Sequence, residues 1–208
     1  MASPSLPAST AGSAAAPTTI TVVAAGLLGA LGSALHVASV IVLPGLTHLD
    51  AARHPVVLIA NVLGAIAFTF LAITLPATPT LDRLPRWALY LTAAGCCAVA
   101  GLMWVHVTRI PHLLGWLTEA QARQAVDQPT LYSFLISLPK QLLLLAGLIG
   151  LAVAGWRHRL ISRGACVLLI LAGLVSAFLE PPWPGAVLTG LALAWTARSA
   201  RPASHTTV

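Results

Sequence analysis

Residues 131–155 read LYSFLISLPKQLLLLAGLIGLAVAG, a run that carries a single charge, Lys140. Its length exceeds the ~20 apolar residues needed to cross a bilayer. An isolated ammonium there costs at least ~2.5–3.5 kcal/mol on insertion scales, so it needs a partner, a wet cavity or a route to the interface. Lys140 is the only lysine of the chain, and the ten other basic residues are arginines at or beyond the ends of apolar segments. That contrast makes Lys140 the first candidate for a functional side chain. Snorkelling of its long stem to the interface is the structural alternative.

Outward from this run, the chain keeps the same character. Of its 208 residues, 58% are hydrophobic and 8% charged, far below the ~25% charge of soluble domains. The formal charge of +6 is spread over segment ends, with no basic face and no interleaved aromatics to stack bases. This excludes a nucleic-acid surface and suits arginines that anchor helices at headgroup level. Cys96 and Cys97 are neighbours in one apolar run and Cys166 lies in another, which suits packing rather than a disulfide framework. The abundance of alanine and arginine suggests a GC-rich, bacterial genome.

The other apolar runs are Ile20–Leu43, Val56–Leu75, Trp87–Thr108, Ile161–Leu179 and Pro182–Ala197. The first lacks a basic leader and is too long for a signal-peptide core, so it reads as a retained span. The last two are short but able to cross with local thinning. The reading is an all-α, polytopic membrane bundle of about six transmembrane helices over 20–197. Residues 1–19 and 198–208 read as disordered tails. Four spans plus a re-entrant hairpin is the alternative. With the amino terminus cytoplasmic, seven arginines fall on inner segments and three on outer ones. That asymmetry predicts both termini cytoplasmic and a multi-pass protein of the cell membrane. In the loop 111–130, Thr118-Glu119-Ala120-Gln121 fits a capping box, which predicts a short outer helix near 119–126.

In this orientation the unusual polar residues gather in the extracytoplasmic half: His36, Asn61, His106, Arg109, Ser137, Lys140 and Glu180. Helical spacing groups Ala25, Gly29, Ser33 and His36 on one face, a small-residue stripe that packs against a neighbour. Ser133, Ser137, Lys140, Leu144, Gly147 and Ala154 form another, and Gly173, Ser176 and Glu180 a third. Pro139 frees the Leu135 carbonyl and kinks the helix beside Lys140. Glu180 is its natural counter-ion. Each of these residues also has a structural reading: packing glue for His36, interfacial anchoring for His106 and Arg109, a solvated turn for Glu180.

The strings Leu35-His36, His54-Pro55-Val56-Val57-Leu58 and Leu63-Gly64-Ala65-Ile66-Ala67-Phe68 resemble small, uncharacterised multi-span proteins abundant in actinobacteria. So does the closing run Pro181-Pro182-Trp183-Pro184-Gly185 with Gly190-Leu191-Ala192-Leu193-Ala194-Trp195. The resemblance implies a six-helix membrane bundle and transfers no active site. Where many of those proteins have proline after the first-helix histidine, this chain has Val37.

Four functions compete on these residues. A polar pocket centred on Lys140, Glu180, His36 and His106 would bind or move a small molecule or proton. A membrane enzyme acting on a lipid or isoprenoid would use Glu180 as acid or base, with Lys140 and Arg109 holding an oxyanion. Haem could be held by His36 and His106 as axial ligands, although no cofactor is required by the pattern and no metal motif is present. A non-catalytic accessory subunit would use the polar residues only between helices. No Ser-His-Asp or H-E-x-x-H arrangement occurs.

Overall fold

The computed structural model describes residues 15–42, 48–127, 131–178 and 183–200. Among these the chain is helical throughout, with no strand. Six long helices are α1 (Ala15–Val42), α3 (Pro55–Thr74), α4 (Arg86–Trp116), α6 (Leu131–Arg157), α7 (Arg163–Phe178) and α8 (Trp183–Ser199). Two short ones, α2 (His48–Arg53) and α5 (Glu119–Asp127), lie in the connections, and a single 3-10 turn spans Pro79–Leu81. Four helices are long and apolar enough to cross a membrane: α1, α3, α4 and α6. The helices α7 and α8 are shorter, 16 and 17 residues.

The long helices close into a ring in the order α1, α3, α4, α6, α7, α8 and back to α1, each packed on its two neighbours. Small residues let them approach. A Cβ on Gly26 would lie 2.6 Å from the Gly190 carbonyl oxygen, so α1 and α8 meet backbone to backbone. A Cβ on Gly147 would lie 2.6 Å from the Thr92 amide nitrogen, which does the same for α4 and α6. In an apolar solvent helices gain little from hiding leucines, and close packing of this kind supplies the attraction. The interior is filled by Phe68, Leu71, Met103, Leu144, Leu148, Leu169 and Leu193. Large hydrophobics also cover the outside: Leu27, Leu31, Ile59, Phe70, Ile73, Leu142 and Val153 are all exposed. A water-soluble bundle would carry charge there. The outward apolar face is that of a multi-pass membrane protein.

The sequence boundaries shift in three places. The first helix starts at Ala15, inside the expected 1–19 tail, because the Ala-Pro-Thr-Thr stretch supplies a helical first turn with proline tolerated there. The third apolar run continues beyond Thr108, through Pro111, to Trp116. Proline there costs one backbone bond, and the loop expected from Pro111 onward begins only after Trp116. The connection between α1 and α3 contains α2, which no periodicity suggested. The capping box does form. Thr118 N–H donates to Gln121 Oε1 at 3.0 Å, and Gln121 N–H donates to Thr118 Oγ1 at 3.4 Å.

The end of α6 has one unusual residue. Leu160 N–H donates to the Gly155 carbonyl at 3.0 Å and Arg159 N–H to that of Trp156 at 3.3 Å. This is a Schellman motif, whose left-handed position normally takes glycine. Here it holds Arg159, at φ 53°.

Candidate functional site

The polar residues converge at the end of the ring where α2, α5 and the start of α8 lie. The organiser is Trp183, the first residue of α8, with Pro184 next in a first turn that suits proline. Its side chain is buried. It reaches His36 on α1, with ring centroids 4.0 Å apart and planes tilted by 34°. On its other side it meets the His106 ring of α4 edge-on at 5.5 Å. The indole therefore spans the ring's interior between α1 and α4, which are not neighbours in the circuit.

The His36 imidazole is oriented from α3. Asn61 Nδ2 donates to the Val57 carbonyl at 2.8 Å and lies 3.3 Å from His36 Nδ1. A carbonyl can only accept, so the amide nitrogen is the atom on this side. Nδ1 of His36 must then accept, which leaves its proton on Nε2. Ser39 Oγ donates to the His36 carbonyl at 2.7 Å. With both amide hydrogens of Asn61 engaged, its Oδ1 is a buried acceptor with no hydrogen-bond partner among the described residues. Ser33 Oγ, one helical turn deeper than His36, is in the same condition. Such atoms are rare because each costs ~1–3 kcal/mol.

Lys140 is 1% exposed, so its side chain does not reach the surface. The residue has an interaction partner within the protein. The packing of Gly95 against Leu144 puts Lys140 one turn beyond that level, roughly 10 Å deeper than His106 by the helical rise. Ser137 lies half-buried on the turn above it. Arg109 points elsewhere: its Nη2 donates to the Ala125 carbonyl at 3.0 Å, tying α5 to the end of α4. His106 Nδ1 pairs with the Leu102 carbonyl at 2.8 Å, and the residue stands at the exposed rim. Glu180 lies outside the described residues. Of the candidate residues, His36, Asn61 and His106 are thus brought together, Lys140 and Ser137 sit below them, and Arg109 braces a surface helix. Trp183 was missed. A tryptophan opening an apolar run at the depth of two histidines was the available signal.

Above this end, α2 and α5 form a small cap. Leu49 and Ala122 are buried against each other with Leu114 and Leu117 beside them. Arg123 bridges Glu119 at 2.8 Å and Asp50 at 3.6 Å, and Arg53 approaches Glu119 at 3.9 Å. The Arg123 hydrogen bond, then the charges of Arg123 and Arg53, hold the Glu119 carboxyl below its usual range. His54 caps α3, its Nδ1 accepting from Val56 N–H at 3.4 Å. Among the described residues no cluster of histidine, cysteine and carboxylate side chains has the makings of a metal site.

Comparison with protein-family models, with curated proteins and with solved structures returns no match to this chain. Any functional reading therefore rests on its own residues.

Proposed function

We propose that this protein is a six-span membrane protein of the bacterial cell membrane, both termini cytoplasmic, that binds a small polar molecule in the extracytoplasmic half of its ring. The observation that carries the reading is Asn61 Oδ1, a buried acceptor left over beside an oriented, neutral His36 and roofed by Trp183. A bound hydroxyl or amine would donate to Oδ1 and could accept from His36 Nε2–H. Lys140 provides a positive floor about two turns deeper, and Glu180, two residues past the end of α7, is its counter-ion in this reading. Trp183 covers the site in the closed state and must swing aside for entry. Among the described residues the lower core has buried threonines, Thr92 and Thr196, and no buried ionisable side chain below Lys140 other than the cysteine thiols, which favours binding or sensing over translocation.

The test is a survey of what accompanies the detergent-solubilised protein, by mass spectrometry and visible absorption. The wild-type protein is expected to carry a small polar compound that Asn61→Leu loses while keeping its fold. Equal content in both proteins overturns the reading. A Soret band in the wild type would replace it with haem binding by His36 and His106.

A further inference from the structure

The opposite end of the molecule carries a second site, independent of the first. Between α4 and α6, on the outer face of the ring, runs a groove of about 620 Å³. Its walls are Trp87, Leu142, Leu145, Ile149 and Val153, and it ends at Arg157 and His158. Gly150 forms its floor and the Trp87 ring packs directly over that glycine. From Leu142 to Arg157 the groove is roughly 22 Å long at the helical rise, enough to hold the ~15 Å of one leaflet's hydrocarbon.

The cationic end is built with care. Arg157, His158 and Arg159 are consecutive and exposed. Arg159 occupies the left-handed position of the Schellman motif, where glycine would meet no steric cost. The chain has an arginine there against backbone preference, so a further exposed basic side chain follows two residues beyond Arg157, outside the groove's lining. Arg163 sits over the Trp156 ring at 5.9 Å, adding a further guanidinium near the end of α6. Among the described residues near this end the one carboxylate is Asp82, which does not line the groove.

We infer that this groove binds one anionic phospholipid, an acyl chain lying along Leu145–Val153 and its phosphate held by Arg157 and Arg159. A chain-length apolar furrow ending in concentrated positive charge matches that amphiphile. A second copy of this protein would have to bring anionic groups to the same mouth, and the acidic side chains Asp50 and Glu119 lie at the far end.

The protein would be placed in phosphatidylcholine nanodiscs containing a tenth of phosphatidylglycerol, with the bromine label on the chains of one lipid or the other. Quenching assigned to Trp87, as the difference from Trp87→Phe, reports which lipid fills the groove. Brominated phosphatidylglycerol is expected to quench far beyond its share of the bilayer. Each arginine near an anionic headgroup is worth about a fivefold preference, so Arg157→Gln should reduce the enrichment by about that factor. Arg159→Gly should reduce it too while raising the melting temperature, a combination that rules out misfolding as the cause. Quenching in proportion to bulk composition overturns the inference. So does enrichment that survives both substitutions, or no Trp87 quenching by either lipid, the result expected if protein covers the groove.

Discussion

At the scale of single residues, the chemistry turns on which polar atoms are left over once the helices have packed. Removing the Trp183 side chain takes away both the stacking partner of His36 and the plug between α1 and α4. Trp183→Ala should cost ~3–5 kcal/mol of stability, the range for deleting a large buried aromatic. It should also turn His36 from protected to reactive toward diethyl pyrocarbonate, read by mass spectrometry. Unchanged protection would mean the indole is not the cover. Lys140 and Glu180 are tested as a pair. Breaking a buried ion pair from one side typically costs ~3–5 kcal/mol, while removing both partners is often near neutral. Lys140→Met/Glu180→Gln should therefore melt above at least one of the single variants, and additive losses would show that the two side chains never meet. Residue-level legibility was uneven. Lys140 declared itself because a charge in an apolar run has a cost readable in one dimension. The partner of Arg109 is the Ala125 carbonyl, a backbone group that no side-chain pattern announces. Trp183 hid in a proline-rich stretch of sequence, since sequence spacing gives a residue's depth but not what it reaches across a ring.

At the scale of helices, small residues set the distances and caps set the ends. The α1–α8 seam closes on backbone atoms, and a backbone cannot step aside. Gly26→Val should cost ~1–3 kcal/mol or more by overpacking, lowering the melting temperature, whereas the same change at exposed Gly101, with open space around it, should have little effect. The α2–α5 cap depends instead on charge. Because folding lowers the Glu119 pKa, its contribution is fully present above the carboxyl's ordinary value of 4.5 and is lost as pH falls through the lower folded value. Hydrogen exchange in α5, corrected for intrinsic rates, should therefore accelerate as pH falls below the carboxyl's ordinary value. Glu119→Gln should flatten that dependence. The capping box at Thr118 was legible because its geometry is local, fixed within four residues. The run of α4 past Pro111 was not, because a helix outlasts a proline when packing beyond it repays the lost bond.

At the scale of the whole molecule, positive charge is divided between the two ends. Arg83, Arg86, Arg157, Arg159, Arg163 and Arg198 stand at one end, and Arg53, Arg109 and Arg123 at the other, with Asp50 and Glu119 beside them. With the first end cytoplasmic, a cysteine at Gln124 should be labelled by an impermeant reagent from outside and one at Ser204 should not. The reverse result inverts the protein and moves the His36 site to the inner leaflet. The closed circuit has one more consequence, for biosynthesis. The seam that completes it joins the first long helix to the last, so α1 enters the bilayer with its Gly26–Ala30 face uncovered and waits through the synthesis of nearly the whole chain. Until Trp183 and Gly190 leave the ribosome, α3 can supply Asn61 to His36, but neither the aromatic cover of His36 nor the backbone partner of Gly26 has been made. A nascent chain stopped before Trp183 is thus an open arc, His36 without its aromatic cover and the Gly26 seam turned to lipid, a state open to membrane proteases. Translation through α8 becomes the checkpoint at which this protein is first fit to keep.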